Sequence, residues 1–288
     1  MKSILRMTGM LFVLLVTLSA AAKEGGKKSR LGFVGNGNLY FSWGYNKEWY
    51  TRSTVHVSQP SLNSEYQLRN VRAHDRPGWD DDFFHTALTV PQYNYRLGYF
   101  FNQKQDFGIE INFDHTKYVI ADGQTARIAG TVNGETTDKQ ITYSGEQGFY
   151  YYLNNGANFL LFNLVKRCNL YQSPGRMLRI DLLAKAGIGP VIPHVENSFF
   201  YQKNDPGFQF GGWNTGVETA LRVSVLKYVY LDFAQKADYA RYSNLHIYEG
   251  TARQSFGTYE LILSLGVNIP VGKNSLLFKR QTNADAGL

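Results

Sequence analysis

The densest chemistry in this chain lies at His74-Asp75-Arg76-Pro77-Gly78-Trp79-Asp80-Asp81-Asp82, followed by His85. Imidazoles beside carboxylates can form acid–base pairs or ligate a cation. The run Asp80 to Asp82 offers hard oxygen ligands but lacks the alternate-position spacing and the glycine of a calcium loop. The simpler reading of the cluster His74, Asp75, Arg76, Asp80, Asp82 and His85 is a polar loop folded on its own scaffold, with Arg76 pairing an aspartate. A second group, Asp114-His115-Thr116-Lys117, sets an imidazole and an ammonium close together, suited to a phosphate or to a polar–apolar boundary. No Walker loop, zinc spacing or GxSxG element is present, and Gly35-Asn36-Gly37 carries no nucleotide signal. No metal and no cofactor is expected.

The elements that must position these groups show in the alternation of Gly211 to Lys227. Trp213, Thr215, Val217, Thr219, Leu221, Val223 and Val225 share one face, and Asn214, Glu218, Arg222 and Ser224 the other. A strand has a side-chain period of two, so this is a strand with one greasy face and one ionic face. Several such segments are longer than ordinary strands and rich in aromatics. The pattern fits a closed antiparallel barrel with lipid outside and polar groups inside.

The N-terminus supplies the route to a membrane. Lys2 and Arg6 precede the apolar run Met10 to Leu18, and Ala20-Ala21-Ala22 offers a cleavage site, so residues 1–22 read as a secretory signal peptide. No Cys follows that site, which disfavours a lipid-anchored lipoprotein. The formal charge of +7 falls to about +5 without Lys2 and Arg6, a scattered excess with no basic stripe, and no nucleic-acid partner is expected. The single Cys168 forms no internal disulfide. With Tyr 20 and Phe 19, the chain is rich in the residues that build interfacial girdles. The remaining apolar runs are too short for membrane helices.

Short connectors at 102–106, 172–176 and near Lys227-Tyr228 suit periplasmic turns, with long loops on the other side. The walk gives strands at about 38–50, 92–101, 107–119, 157–171, 177–191, 211–226, 228–241 and 255–269. The intervening external loops lie at about 51–91, 120–156 and 192–210, with a fourth before the last strand. The expectation is an all-β, eight-stranded antiparallel transmembrane β-barrel over 38–269, preceded by a periplasmic segment 23–37 and followed by a tail 270–288. The segment Tyr66 to Ala73 changes phase near Asn70 and reads as an external hairpin with a bulge; a membrane strand there would make ten.

The inward faces carry the cations Arg96, Arg167, Arg179, Lys185, Arg222 and Lys236. They also carry the anions Glu110, Asp114, Asp181, Glu218, Asp232, Asp238 and Glu260. An eight-stranded barrel is only wide enough for side chains to fill. Isolated buried ions cost several kcal/mol, so these charges are expected to pair into a plug. His115 has the outward parity of Phe113 and is expected at headgroup level beside Lys117.

On this pattern the chain resembles the small outer-membrane barrels of Gram-negative bacteria, among them the OmpA membrane domain, OmpW and lipid A deacylases. The resemblance spans nearly the whole mature chain. It implies the outer membrane as location, its lipid and lipopolysaccharide as partners, the barrel-assembly machinery during biogenesis, and a monomer. Ala240-Arg241-Tyr242-Ser243-Asn244 is similar to the penultimate strand of the deacylases, where a His stands two residues before a catalytic Ser and a Glu follows on the last strand. Ser243 matches the nucleophile, Glu260 lies further along than that spacing, and Arg241 occupies the histidine's place. An arginine is never a base at neutral pH, so His246 would have to fold back to activate Ser243. The resulting expectation is a structural or surface-interaction protein with long external loops. A lipid A-modifying hydrolase using Ser243, His246 and Glu260 is the alternative, and a narrow channel for small or apolar solutes the third.

Overall fold

Period-two alternation dominates the chain, and strands follow from it. The computed structural model describes residues 37–78, 92–101, 106–153, 156–175 and 177–271. The expected signal peptide, most of the N-terminal segment, Asp80, Asp82, His85 and the tail from 272 lie outside the described residues.

In chain order the strands are β1 (Asn38–Tyr50), β2 (Ser53–Gln59), β3 (Ser64–Val71), β4 (Ala73–His74), β5 (Tyr93–Phe100) and β6 (Phe107–His115). Next come β7 (Tyr118–Ile120), β8 (Gln124–Val132), β9 (Glu135–Tyr143), β10 (Tyr150–Leu153), β11 (Phe159–Gln172) and β12 (Leu178–Pro190). The chain continues through β13 (His194–Phe199), β14 (Gln202–Lys203), β15 (Gly207–Phe208), β16 (Gly212–Val225), β17 (Val229–Ile247) and β18 (Gly250–Pro270).

Among the described residues, twelve strands share one sheet, and eight of them close on themselves in the order β1-β5-β6-β11-β12-β16-β17-β18. All neighbours are antiparallel, and β18 returns to β1 in unbroken register from Asn38↔Pro270 to Tyr50↔Thr258. Closure leaves these strands without a free edge, the condition for backbone to survive in hydrocarbon. The burial pattern is inverted relative to a soluble sandwich. Leu221, Phe233 and Leu263 are 41%, 52% and 51% exposed, whereas Glu218 and Arg222 are 3% and 0%. Leu97, Ile109, Ile111, Leu164 and Leu231 extend the apolar outer band.

The turns at the other end are short for local reasons. Between β16 and β17, Leu226 and Lys227 both take the left-handed conformation, at φ 53° and 69°. Between β11 and β12, the Ser173 hydroxyl accepts the backbone N–H groups of Met177 and Leu178, both at 3.1 Å.

The external connections differ from the loops expected of them. The β17–β18 hairpin runs well past the end of β1, so residues 242–247 and 250–254 are strand rather than loop. Its outer end pairs with β2 through Thr251↔Ser58 to Arg253↔His56, and β3, β8 and β9 follow as a wing. The β2–β3 pair forms a hairpin with a register shift, Ser53 facing Val71 and Val55 facing Leu68, and Asn70 sits at φ 60°. That bulge is the phase slip visible in the sequence, and it lies outside the barrel. Short strands β14, β13, β10, β7 and β4, with β15 beside β13, build a second sheet. Val55, Tyr66, Leu68, Ile128, Tyr151, Leu153, Val195, Phe199 and Leu245 form one buried apolar cluster that joins the two sheets. The expected loops are therefore a folded β-cap, because their own alternating apolar faces have each other to cover.

Candidate functional site

The lumen is built by one face of each of eight strands, even-numbered residues in six of them and odd-numbered residues in β11 and β12, and its charges fall into three groups. At the turn end, Arg222 donates to both oxygens of Asp232 at 2.8 and 2.7 Å. Its guanidinium lies 3.7 Å from the Tyr230 ring centre and 4.6 Å from that of Tyr40. Asp181 accepts from Arg179 at 2.9 Å and lies 4.0 Å from Arg167, whose guanidinium covers Phe100 at 4.2 Å.

At mid-barrel, Arg96 donates to both oxygens of Glu218 at 2.7 and 2.6 Å and lies 3.5 Å from Glu110. Lys185 reaches Glu110 at 2.7 Å and Glu218 at 3.1 Å. Tyr40 adds a hydroxyl to Glu110 at 2.8 Å. Two cations and two anions thus close a ring of contacts across the lumen.

Toward the cap the balance changes. Lys236 pairs with Asp114 and, at 3.0 Å, with Asp238. Glu260 is its register partner on β18, and Glu48 faces Glu260 across the closing seam. Glu48 receives hydrogen bonds from Asn46 at 2.9 Å and Tyr50 at 2.6 Å. Sequence reasoning missed Glu48, although its even parity with Ser42 and Asn46 in β1 carried the signal. Above it, Tyr118 and Phe256 stack at 4.3 Å, Tyr242 packs on Phe256 at 5.3 Å, and Tyr50 on Tyr118 at 4.9 Å. This buried aromatic layer lies over the carboxylates and continues into the cap core.

The other expected groups end in different places. His74 is exposed on β4, opposite Val119. Asp75 docks on the barrel, accepting the Glu48 backbone N–H at 2.8 Å and the Gln92 amide at 3.4 Å. Arg76 is exposed; of the cluster's aspartates, Asp75 is engaged on the barrel, and Asp80, Asp81 and Asp82 lie outside the described residues. His115 is buried rather than displayed at headgroup level. Its ring stacks on Tyr93 at 4.6 Å and its Nδ1 meets Asn158 Oδ1 at 2.8 Å, because the start of β11 folds over it.

Ser243, His246 and Glu260 are not brought together. Glu260 is wholly buried in the lumen, at the level of Lys236, while Ser243 stands seven residues further along β17 on the outer face. Seven strand residues span roughly 23 Å. A bulge at Ser243-Asn244 with Asn244 at φ 55° aims this segment outward.

Beside Ser243 lies a groove of about 620 Å³ between the outer ends of β17–β18 and β2–β3. Arg241, Arg253, Arg69 and His56 line it, with Glu65. An adjoining recess of about 320 Å³ shares His56, Arg241 and Arg253 and reaches Tyr239. Burial, then the nearby Arg253 and Arg69, hold the His56 imidazole below its ordinary pKa.

No family model matches this chain, and no curated protein matches it. Among solved structures it is similar to Ail, the attachment invasion locus protein of Yersinia pestis, in complex with the heparin analogue sucrose octasulfate. The two are 15% identical over 81% of this chain and 99% of that one, with a TM-score of 0.32. OprG, an outer membrane protein of Pseudomonas aeruginosa, is 8% identical over 84% of this chain and 100% of its own, at TM-score 0.34. The outer membrane protease OmpT of Escherichia coli is 10% identical over 84% and 99%, at TM-score 0.36. Such likeness concerns fold alone. The closed eight-strand register, apolar exterior and ionic interior define the class: an eight-stranded antiparallel transmembrane β-barrel.

Proposed function

We propose that this chain is a surface-interaction protein of the bacterial outer membrane, in which the barrel is a closed anchor and the folded cap is the part presented outside. The observation that carries this reading is the filled lumen. The quartet Arg96–Glu110–Lys185–Glu218 occupies mid-barrel, and the aromatic layer of Tyr118, Tyr242 and Phe256 lies over the outer end. A path for solutes would have to break buried ion pairs, each costing several kcal/mol to separate. The cap, by contrast, shows a polar face to water along β9, from Glu135 to Gln140. Export by a cleaved signal peptide, insertion by the barrel-assembly machinery and a monomeric state accompany this reading, with lipopolysaccharide as the surrounding lipid.

The test is sidedness together with conductance. In a Cys168→Ser background, a cysteine at Lys139 on the cap is expected to react with a membrane-impermeant maleimide on intact cells, and one at Lys227 in the β16–β17 turn is not. The purified barrel is expected to be silent in planar bilayers. The opposite labelling, or steady conductance above background, overturns the reading. Ser243→Ala is expected to leave lipid A acylation unchanged in mass spectra, since no imidazole or carboxylate hydrogen-bonds Ser243 among the described residues.

A further inference from the structure

We propose that the groove between β17–β18 and β2–β3 is a binding site for a phosphate group of an outer-leaflet glycolipid, held by Arg241, Arg253 and Arg69 around His56. The inference rests on the outer-membrane reading and adds to it a site and a ligand chemistry.

Three observations converge on it. The first is level. Tyr239 points outward on β17 and packs against Trp213 at 5.9 Å, and Trp49 lies 6.0 Å from Tyr259 on the neighbouring strands. Outward aromatics of this kind mark the membrane–water interface. Arg241 has the same outward parity two residues beyond Tyr239, about 7 Å further from the hydrocarbon, where phosphates of the outer leaflet lie. The adjoining recess reaches from this arginine down to Tyr239, at the level of the girdle.

The second is charge. Three guanidinium groups and an imidazole face the same 620 Å³ groove, with Glu65 as the carboxylate in its wall. None of the three arginines makes an ion pair among the described residues; Arg69 only donates to the Gln67 amide at 3.1 Å. On the adjoining β8 strand Arg127, the register partner of Arg69, is held by Asp138 at 2.7 Å, while Asp138 acts on Arg69 only from beyond ion-pair distance. Guanidinium forks match phosphate oxygens, and each basic group near an anionic surface strengthens binding appreciably.

The third is construction. The β2 strand is fixed against β18 by His56↔Arg253, and β3 carries Arg69 on the opposite side. The cations therefore sit on paired strands rather than on free loops, so little ordering is needed on binding.

Purified protein in phosphatidylcholine nanodiscs, titrated with diphosphoryl lipid A, is expected to bind it and to lose affinity about a hundredfold in Arg69→Gln/Arg241→Gln/Arg253→Gln. Arg127→Gln serves as the control and is expected to bind as the parent does. The His56 ring resonances report occupancy, because a phosphate beside the imidazole raises its pKa. Equal affinity of parent and triple variant, an unmoved His56, or equal binding of dephosphorylated lipid A overturns the proposal. So does saturation by inorganic phosphate as effective as lipid A, or binding confined to a sulfated oligosaccharide. Cell-surface labelling at position 139 without lipid binding would sink the site alone; absent labelling would sink the outer-membrane reading beneath it.

Discussion

Glu48 and Glu260 stand directly opposite each other across the seam where β1 and β18 close the barrel, and both are buried in the lumen. The neighbouring β17 adds Asp238 and β6 adds Asp114 from across the lumen, so four carboxylates gather round Lys236. The mid-barrel quartet balances its charges; this outer group does not. Removing Lys236 leaves buried anions without their cation, a change that typically costs about 3–5 kcal/mol. Lys236→Met is expected to lower the unfolding free energy of the folded barrel, read from urea titrations in detergent or liposomes, by that order. Glu260→Gln keeps the shape and withdraws one uncompensated charge, and its midpoint is expected to equal or exceed the parent's. A fall for Glu260→Gln as large as for Lys236→Met would contradict this account.

The lower lumen depends on close approach rather than charge alone. Tyr40 lies across Gly98 of β5, and a Cβ at that glycine would overlap the tyrosine ring. The ring cannot easily yield. It stacks on Phe100 at 5.1 Å, lies beneath Arg222 and donates its hydroxyl to Glu110. Gly98→Ala is expected to destabilise the barrel by about 1–3 kcal/mol, the usual range for overpacking. Combining it with Tyr40→Phe relieves only the hydroxyl, so the loss should persist, whereas Gly98→Ala with Tyr40→Ala should recover part of it. Unfolding midpoints of the three variants measure this.

The barrel was legible because its strands follow simple rules. Most are long and alternating, and several pairs are joined by short turns, so Leu39, Phe41 and Trp43 reveal the direction of Tyr40 and Ser42 without knowledge of any partner. The cap was not legible for the opposite reason. Its strands are short, as in Ala73–His74 and Gln202–Lys203, and their partners come from distant segments, as Tyr151 of β10 pairs Asn197 of β13. Alternation alone does not name such partners. The same limit applies within the lumen. Arg96 and Glu218 are 122 residues apart, and their meeting depends on barrel shear, which no local pattern encodes. The groove cations Arg69, Arg253 and His56 passed unnoticed because they gather only after β2 docks on β18.

The outer band offers a direct check of inverted polarity. Phe233 and Leu263 are register partners, half exposed, in the middle of the apolar belt. A cation on the lipid face at the midplane of such barrels costs about 2–4 kcal/mol, falling toward zero near the interfaces. Phe233→Arg and Leu263→Arg are expected to reduce folding into lipid bilayers by that order. Thr251→Arg, exposed beyond the girdle on the same strand face as Leu263, is expected to have little effect. Equal costs at positions 251 and 263 would mean that hydrocarbon does not surround the belt.

His56 makes the cap sensitive to acid in a defined direction. Its imidazole is held below the ordinary histidine value of 6.5, first by burial and then by Arg253 and Arg69. A group whose folded pKa is depressed contributes stability above its unfolded pKa and loses it as pH falls through the folded value. The cap of the lipid-free protein is therefore expected to weaken below about pH 6.5 as the proton enters a site already crowded by guanidinium groups. His56→Gln removes the proton-binding group, so the difference in denaturation midpoint between parent and variant should be flat above that pH and narrow or reverse below it. Arg253→Gln withdraws one of the repelling charges and should move the His56 titration upward, which ring-proton chemical shifts report directly. A His56 titration unaffected by Arg253→Gln would show that burial acts alone, and the electrostatic account of the groove would fail at its centre.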